Sequence, residues 1–237
     1  MYLNCKTYFS FRYGTFGTQE LENTAVDAGV TSLALTNINS TCDTWDFVKF
    51  CREAGIKPVV GAEIRNGNNL EYILLAANNK GFRWINAFLS SHLQEQKPFP
   101  THTENIPFFD DLWDGYVIYP SGKKELRELL ANEHIGILPW EVNKLFGIDV
   151  NSAGDKLVIR QPVTFQNKAY YNLHKLLRAI DCNVVGTKLP AEAVCSDQEY
   201  FVPPSRLLDA FKQYPSIVTN TYKLIDSCNI TMDFHTD

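Results

Sequence analysis

The sequence predicts an α/β fold with mostly parallel strands. Short apolar runs alternate with segments of helical periodicity, glycines close the first two helical segments, and an Asn/Gly turn separates two adjacent runs. The first extended segment covers about Tyr2 to Phe9. Thr18 is placed as an N-cap for a helix with Leu21, Ala25, Val26 and Ala28 on one face, and Gly29 stands where a C′ glycine belongs. Ser32 to Thr36 is the second strand. Asp43 to Ala54 is the next helix, closed by Gly55. Lys57 to Ile64 and Leu70 to Ala77 are the third and fourth strands, and Asn66-Gly67-Asn68-Asn69 predicts a hairpin between them.

Asn79 to Gln94 reads as a long amphipathic helix carrying Phe82, Ile85, Phe88 and Leu89. Lys97 to Pro107, with three prolines, reads as a surface loop. Tyr116 to Tyr119 and Ile135 to Leu138 are strand candidates flanking a charged helix from Lys123 to Leu130. Leu157 to Ile159 is a further strand, and Asn167 to Ile180, Pro203 to Tyr214 and Pro215 to Cys228 are helices. Trp45 and Trp84 fall in helical apolar patterns and are expected in the core.

A length of 237 residues with 45% hydrophobic content suits one large domain or two small ones. A net charge of -5, without a run of Lys or Arg, argues against a self-sufficient nucleic-acid binder. It leaves room for a domain attached to a DNA-binding neighbour. The six cysteines form no Cys-x-x-Cys pair and read as buried free thiols in a reducing compartment. No signal-like start and no apolar run near ~20 residues is present, so the expectation is a cytoplasmic protein with no membrane contact.

The strand ends raise the functional question. Leu33-Ala34-Leu35-Thr36 runs into Asn37-Ile38-Asn39-Ser40, the first strand leads to Ser10 and Tyr13-Gly14, and the third ends on Glu63. In a barrel enzyme such ends gather at one face and carry the chemistry. Their order resembles the PHP (polymerase and histidinol phosphatase) domain at the N-terminus of bacterial DNA polymerase III alpha subunits. Leu75-Ala76-Ala77-Asn78 with Gly81-Phe82, then Tyr200-Phe201, Tyr214-Pro215, Asn220-Thr221 and Cys228-Asn229-Ile230, extend the resemblance along nearly the whole chain. It implies an irregular (β/α)7 barrel and a single domain over residues 1–237, whose parent protein continues into a polymerase palm.

The resemblance also implies a metal site, and here the chain departs from the pattern. Where the family has its first His-x-His pair, this chain has Asn4 and Lys6. Where it has Asp-His after Leu-Thr, it has Asn37 and Ile38. Where it has a late Asp-x-His pair, it has Pro162 and Thr164. Glu63 alone keeps a ligand type. Amide, isoleucine and proline side chains are poor ligands or none, and Lys6 puts an ammonium where a cation would sit. One carboxylate does not hold Zn²⁺. The expectation is therefore a degenerate cleft without catalytic residues, metal or cofactor; the Mg²⁺ of a polymerase would belong to the absent palm.

The implied role is structural: a scaffold for a DNA-directed DNA polymerase in replication or translesion synthesis, on a divergent branch for which the replicative and the error-prone role both stay open. Its partners would be palm and thumb, DNA primer-template through the parent polymerase, and replication or repair accessory proteins. Two alternatives stay open: a metal-dependent phosphoesterase or 3′–5′ exonuclease with non-standard ligands, and a stand-alone binding module. Lys6 and Glu63 are expected to pair in the cleft. Arg12, Arg65 and Arg160 are candidate phosphate contacts, although scattered arginines are usually solvated or paired. His174 is expected to make packing or polar contacts rather than bind metal. His92, His102, His134 and His235 share no site-like spacing, and Ser10 lacks the partners of a nucleophile.

Overall fold

The computed structural model describes residues 1–106, 113–147, 150 and 152–234. Eight strands make one sheet: β1 (Tyr2–Cys5), β2 (Ser32–Leu35), β3 (Lys57–Asn66), β4 (Asn69–Ala76), β5 (Gly115–Pro120), β6 (Glu133–Ile137), β7 (Leu157–Ile159) and β8 (Pro162–Val163). Their order is β7-β6-β5-β4-β3-β2-β1-β8. The two edge strands are neighbours in sequence, separated only by Arg160 and Gln161. One segment thus joins the sheet end to end, pairing with β6 through β7 and with β1 through β8. Counted as one strand, it leaves seven staves, in agreement with the PHP-type barrel. The irregularity is the β3–β4 hairpin: β3–β4 and β4–β5 are antiparallel, and the other pairs are parallel.

Helices α1 (Thr18–Asp27), α2 (Thr44–Glu53) and α3 (Asn79–Gln94) cover the outer face of the sheet. Gly29 and Gly55 close α1 and α2 with φ of +69° and +72°, a region that favours residues without Cβ. Asn78 caps α3 by accepting from the Lys80 and Gly81 N–H groups. Helices α4 (Tyr171–Asp181), α5 (Pro204–Ala210) and α6 (Pro215–Ser227) complete the described residues.

Alternation along the strands sorts the core into two layers. Tyr2, Leu33, Val60 and Leu74 face the helices. Leu3, Ala34, Val59, Ile73 and Val158 fill the barrel interior, joined by Leu224, Ile225 and Cys228 around the end of α6. That plug sits at the amino end of the parallel strands, where Lys57 Nζ meets Asp226 O at 2.8 Å.

Several expectations are corrected. Thr18 is not the cap of α1; Gly17 is, with its N–H held by Glu20, and the Thr18 hydroxyl is spent on Asp43 instead. The charged helix from Lys123 to Leu130 is only a single 3₁₀ turn, Leu126–Glu128. Lys123 binds Glu71, Lys124 binds Glu104 and Glu133, and Leu130 N–H goes to the Glu133 carboxylate, so these groups are taken from any helix. Trp45 is half exposed, because α2 buries Phe47, Val48 and Cys51 and Trp45 lies off that face. All six cysteines are free, but Cys42 is exposed and Cys182 only partly covered. His235 and Pro107 lie outside the described residues.

Candidate functional site at the carboxyl ends of the strands

Glu63 and Arg65 are two residues apart on β3, and Asn4 and Lys6 flank Cys5 at the end of β1. Same-face spacing brings them together inside the barrel mouth. Glu63 Oε2 accepts from Asn4 Nδ2 at 2.6 Å and lies 2.9 Å from Lys6 Nζ. Its Oε1 accepts from Arg65 Nε at 2.5 Å. Lys6 and Glu63 are both fully buried. The expected pairing is present, as an ion pair whose geometry leaves Nζ without an aligned hydrogen bond. Burial pushes the Glu63 carboxyl up, but Arg65, Lys6 and the Asn4 amide outweigh it and hold its pKa at about 2.

The other expected positions disperse. Asn37 is a loop clamp: its Oδ1 accepts from Thr7 N–H and the Ser10 hydroxyl, and its Nδ2 donates to Asp43 at 2.6 Å. Asp43 also accepts from Thr7 and Thr18, while burial raises its pKa against those hydrogen bonds. Ile38 packs against the small cluster of Tyr13, Phe165 and Cys195. Pro162 pairs in register with Asn4. Thr164 donates to Glu199 at 2.6 Å. Sequence reasoning missed Asp43 and Glu199, since each lies outside a strand and has no patterned neighbour.

The three arginines are not gathered around one point. Arg12 is exposed at the rim, 3.4 Å from Asp181. Arg65 is committed to Glu63 and donates to the Tyr13 hydroxyl at 3.1 Å. Arg160 follows β7 into the interior and is 8% exposed. Gly136 makes room for it: a Cβ there would lie 2.7 Å from Arg160 Cβ. Burial lowers the Arg160 pKa, and the fields of Glu199 and Glu63 oppose that shift. His174 uses both ring nitrogens structurally. Nε2 accepts from Cys195 N–H at 3.1 Å, so Nδ1 carries the proton donated to Tyr13 O at 2.7 Å. Burial lowers its pKa, in keeping with that neutral ring.

Above these residues opens a cleft of about 450 Å³, walled by Phe9, Phe11, Asn68, Arg178 and Asp181, with Arg65 among its lining residues. Among the described residues, no group of three or more His, Cys, Asp or Glu side chains is placed to hold a metal ion.

A seven-staved α/β barrel with its polar and charged residues collected at the strand carboxyl ends defines the class. The PHP domain family matches residues 3–181, and the chain belongs to that family. It is 22% identical to the DNA polymerase III subunit alpha of Pasteurella multocida, over 98% of this chain and 23% of the relative. It is 24% identical to an error-prone DNA polymerase of Symbiobacterium thermophilum, over 98% of this chain and 25% of the relative. The chain thus spans about a quarter of the length of these relatives. A crystal structure assigned as a metal-dependent phosphoesterase, from Bifidobacterium adolescentis, aligns over 89% of this chain and 95% of its own, at 12% identity and a TM-score of 0.33. No helix among the described residues is long and apolar enough to cross a membrane.

Proposed function

We propose that this chain is the PHP domain of a DNA polymerase III alpha-type polypeptide, acting as a scaffold with its metal site replaced by an internal ion cluster. The carrying observation is that both oxygens of Glu63 are already taken, by Asn4 and Lys6 on one side and Arg65 on the other. These side chains do not fit a divalent cation: two of them repel it, and among the described residues no group of three or more His, Cys, Asp or Glu side chains is placed to hold one. Residues 1–237 are read as one domain, since α6 fills the barrel interior together with β1, β2 and β3.

A scaffold needs a surface to brace against. Helix α4 buries His174 and Arg178 and turns Leu173, Leu176 and Ile180 to solvent, the reverse of an ordinary surface helix. An apolar stripe of this kind suits a covered interface. The much greater length of the relatives makes further polymerase domains, palm and thumb, its occupants, and DNA primer-template and accessory proteins are reached through them. Mg²⁺ chemistry belongs to the palm, and the cytoplasm is the compartment in which such a polymerase works. The test is hydrolysis of phosphodiester, phosphomonoester and pyrophosphate substrates with added Mn²⁺, Zn²⁺ or Mg²⁺. The expected result is no turnover above buffer. Metal-dependent turnover lost on Glu63→Gln would restore the phosphoesterase reading.

A further inference from the structure

Beyond the end of α6, residues 229–234 run as a strap between α2 and α3. Exposure alternates along it: Cys228 and Ile230 are buried, Met232 and Phe234 half-buried, and Asn229, Thr231 and Asp233 exposed. A period of two belongs to an extended chain. Each edge of the strap is held by one side chain. On one edge, Arg52 of α2 donates to Ile230 O and Met232 O, both at 2.8 Å. On the other, Asn79 of α3 donates to Thr231 O at 2.7 Å and accepts from Thr231 N–H at 2.9 Å. Carbonyls two residues apart share an edge of an extended chain, and the residue between them turns its N–H and C=O to the opposite edge. The two side chains thus stand in for neighbouring strands. Phe234 lies edge-on to Trp45, ring centroids 4.7 Å apart, with the Arg52 guanidinium 5.5 Å from its ring. Arg52, Asn79 and Thr231 are themselves exposed, so these contacts compete with water and the strap is weakly held.

We propose that the groove between α2 and α3 is a docking site for an extended peptide segment of a partner protein, with apolar residues two apart and an aromatic at the end, and that the strap occupies it in cis. The seated segment shows what the groove accepts. Main-chain hydrogen bonds supply affinity without regard to sequence, and the inward alternate side chains supply selectivity. The Ile230 position is closed from water and takes an aliphatic side chain. Trp45 and Arg52 offer a ring and a cation to an aromatic. Thr231 and Asp233 face outward and leave their positions free. A tethered occupant acts at an effective concentration on the order of millimolar, so the strap shields the groove from weak competitors. It yields to a partner whose segment adds contacts of its own. The groove lies on the outer layer of the barrel, and the proposal stands whether or not the mouth holds metal.

The experiment is fluorescence anisotropy of a labelled, capped peptide of residues 229–234, titrated with the whole chain and with a strap variant, Thr231→Pro with Phe234→Ala. Proline removes the N–H that Asn79 accepts, and alanine removes the ring that Trp45 holds. With its own strap loosened, the variant is expected to bind the peptide about tenfold tighter than the unchanged chain. Adding Arg52→Ala should abolish that gain, and a peptide with proline in place of Thr231 should not bind. No saturable binding to the strap variant, equal affinity for the two chains, or indifference to Arg52→Ala overturns the proposal. Hydrogen exchange of the unchanged chain gives a reading that needs no variant. The Thr231 amide is expected to exchange about a hundredfold faster than the amides of β4, and protection equal to theirs would overturn the proposal by making the strap part of the core. Self-association of the unchanged chain that Thr231→Pro abolishes, read by sedimentation, would assign the groove to the strap of a second copy and overturn the partner reading.

Discussion

At its amino end the barrel is filled by Leu3, Ala34, Val59 and Val158 against Leu224 and Ile225; at its carboxyl end it is filled by Lys6, Glu63, Arg65 and Arg160. Both regions are as well covered, yet they resist substitution for different reasons. The apolar end is held by area removed from water, so each residue contributes on its own account. The ionic end is held by mutual neutralisation, and its members are stable only as a set. A buried carboxylate is tolerated in such a mouth when cations face it, as Lys6 and Arg65 face Glu63.

The largest expected effect follows from that contrast. Lys6→Ala leaves Glu63 with fewer cations in a buried position, at a cost of about 3–5 kcal/mol. Adding Glu63→Gln should recover part of it. A denaturant-based double-mutant cycle measures the coupling, and simple additivity would break the account of the ionic end. At the other end, Leu224→Ala should cost about 2–5 kcal/mol by cavity formation. It should add to Lys6→Ala within measurement error if the two ends are independent. Between them lies Asn37→Ala, which removes the clamp joining Thr7, Ser10 and Asp43 and leaves a buried carboxylate short of a donor. A loss of about 1–3 kcal/mol is expected by chemical denaturation.

The smallest effect concerns pH and sharpens the assignment of Glu63. Its pKa is depressed in the folded state, to about 2, so the stability it contributes is present above the unfolded value near 4.5 and is lost as pH falls through about 2. The stability gap between the unchanged chain and Glu63→Gln should narrow across that window. His134 adds a second acid sensitivity of the same sign, in a higher pH window. Burial holds its pKa down at about 4, so the folded state is penalised as pH drops from about 6.5 through 4. His134→Phe should reduce that loss, read as melting temperature against pH.

Local signals account for what was legible in the sequence. Capping and glycine stops placed α1 and α2 within a few residues, periodicity placed α3 at Asn79–Gln94, and the Asn/Gly turn placed the β3–β4 hairpin. Closure of the ring through Arg160 and Gln161 was not legible, because it depends on pairing β7 and β8 with strands far away in sequence. At the mouth, the Lys6–Glu63 contact was foreseen only through the family resemblance. Arg65, a candidate phosphate contact weighed against an ordinary paired arginine, takes the second oxygen of Glu63, two positions along the same strand. Asp43 and Glu199 came from segments whose placement nothing local dictates. Lys123 to Leu130 has helical composition, but its side chains are claimed by Glu71, Glu104 and Glu133.

In the proposed scaffold, protein cations occupy the mouth in place of metal ions. Elemental analysis of the folded chain, purified without chelator, tests it most directly when combined with melting curves with and without EDTA. The expected result is well under one Zn, Mn or Fe per chain and superimposable melts. Two or more tightly bound metal ions per chain, with a melting temperature that falls by many degrees on chelation, would contradict it.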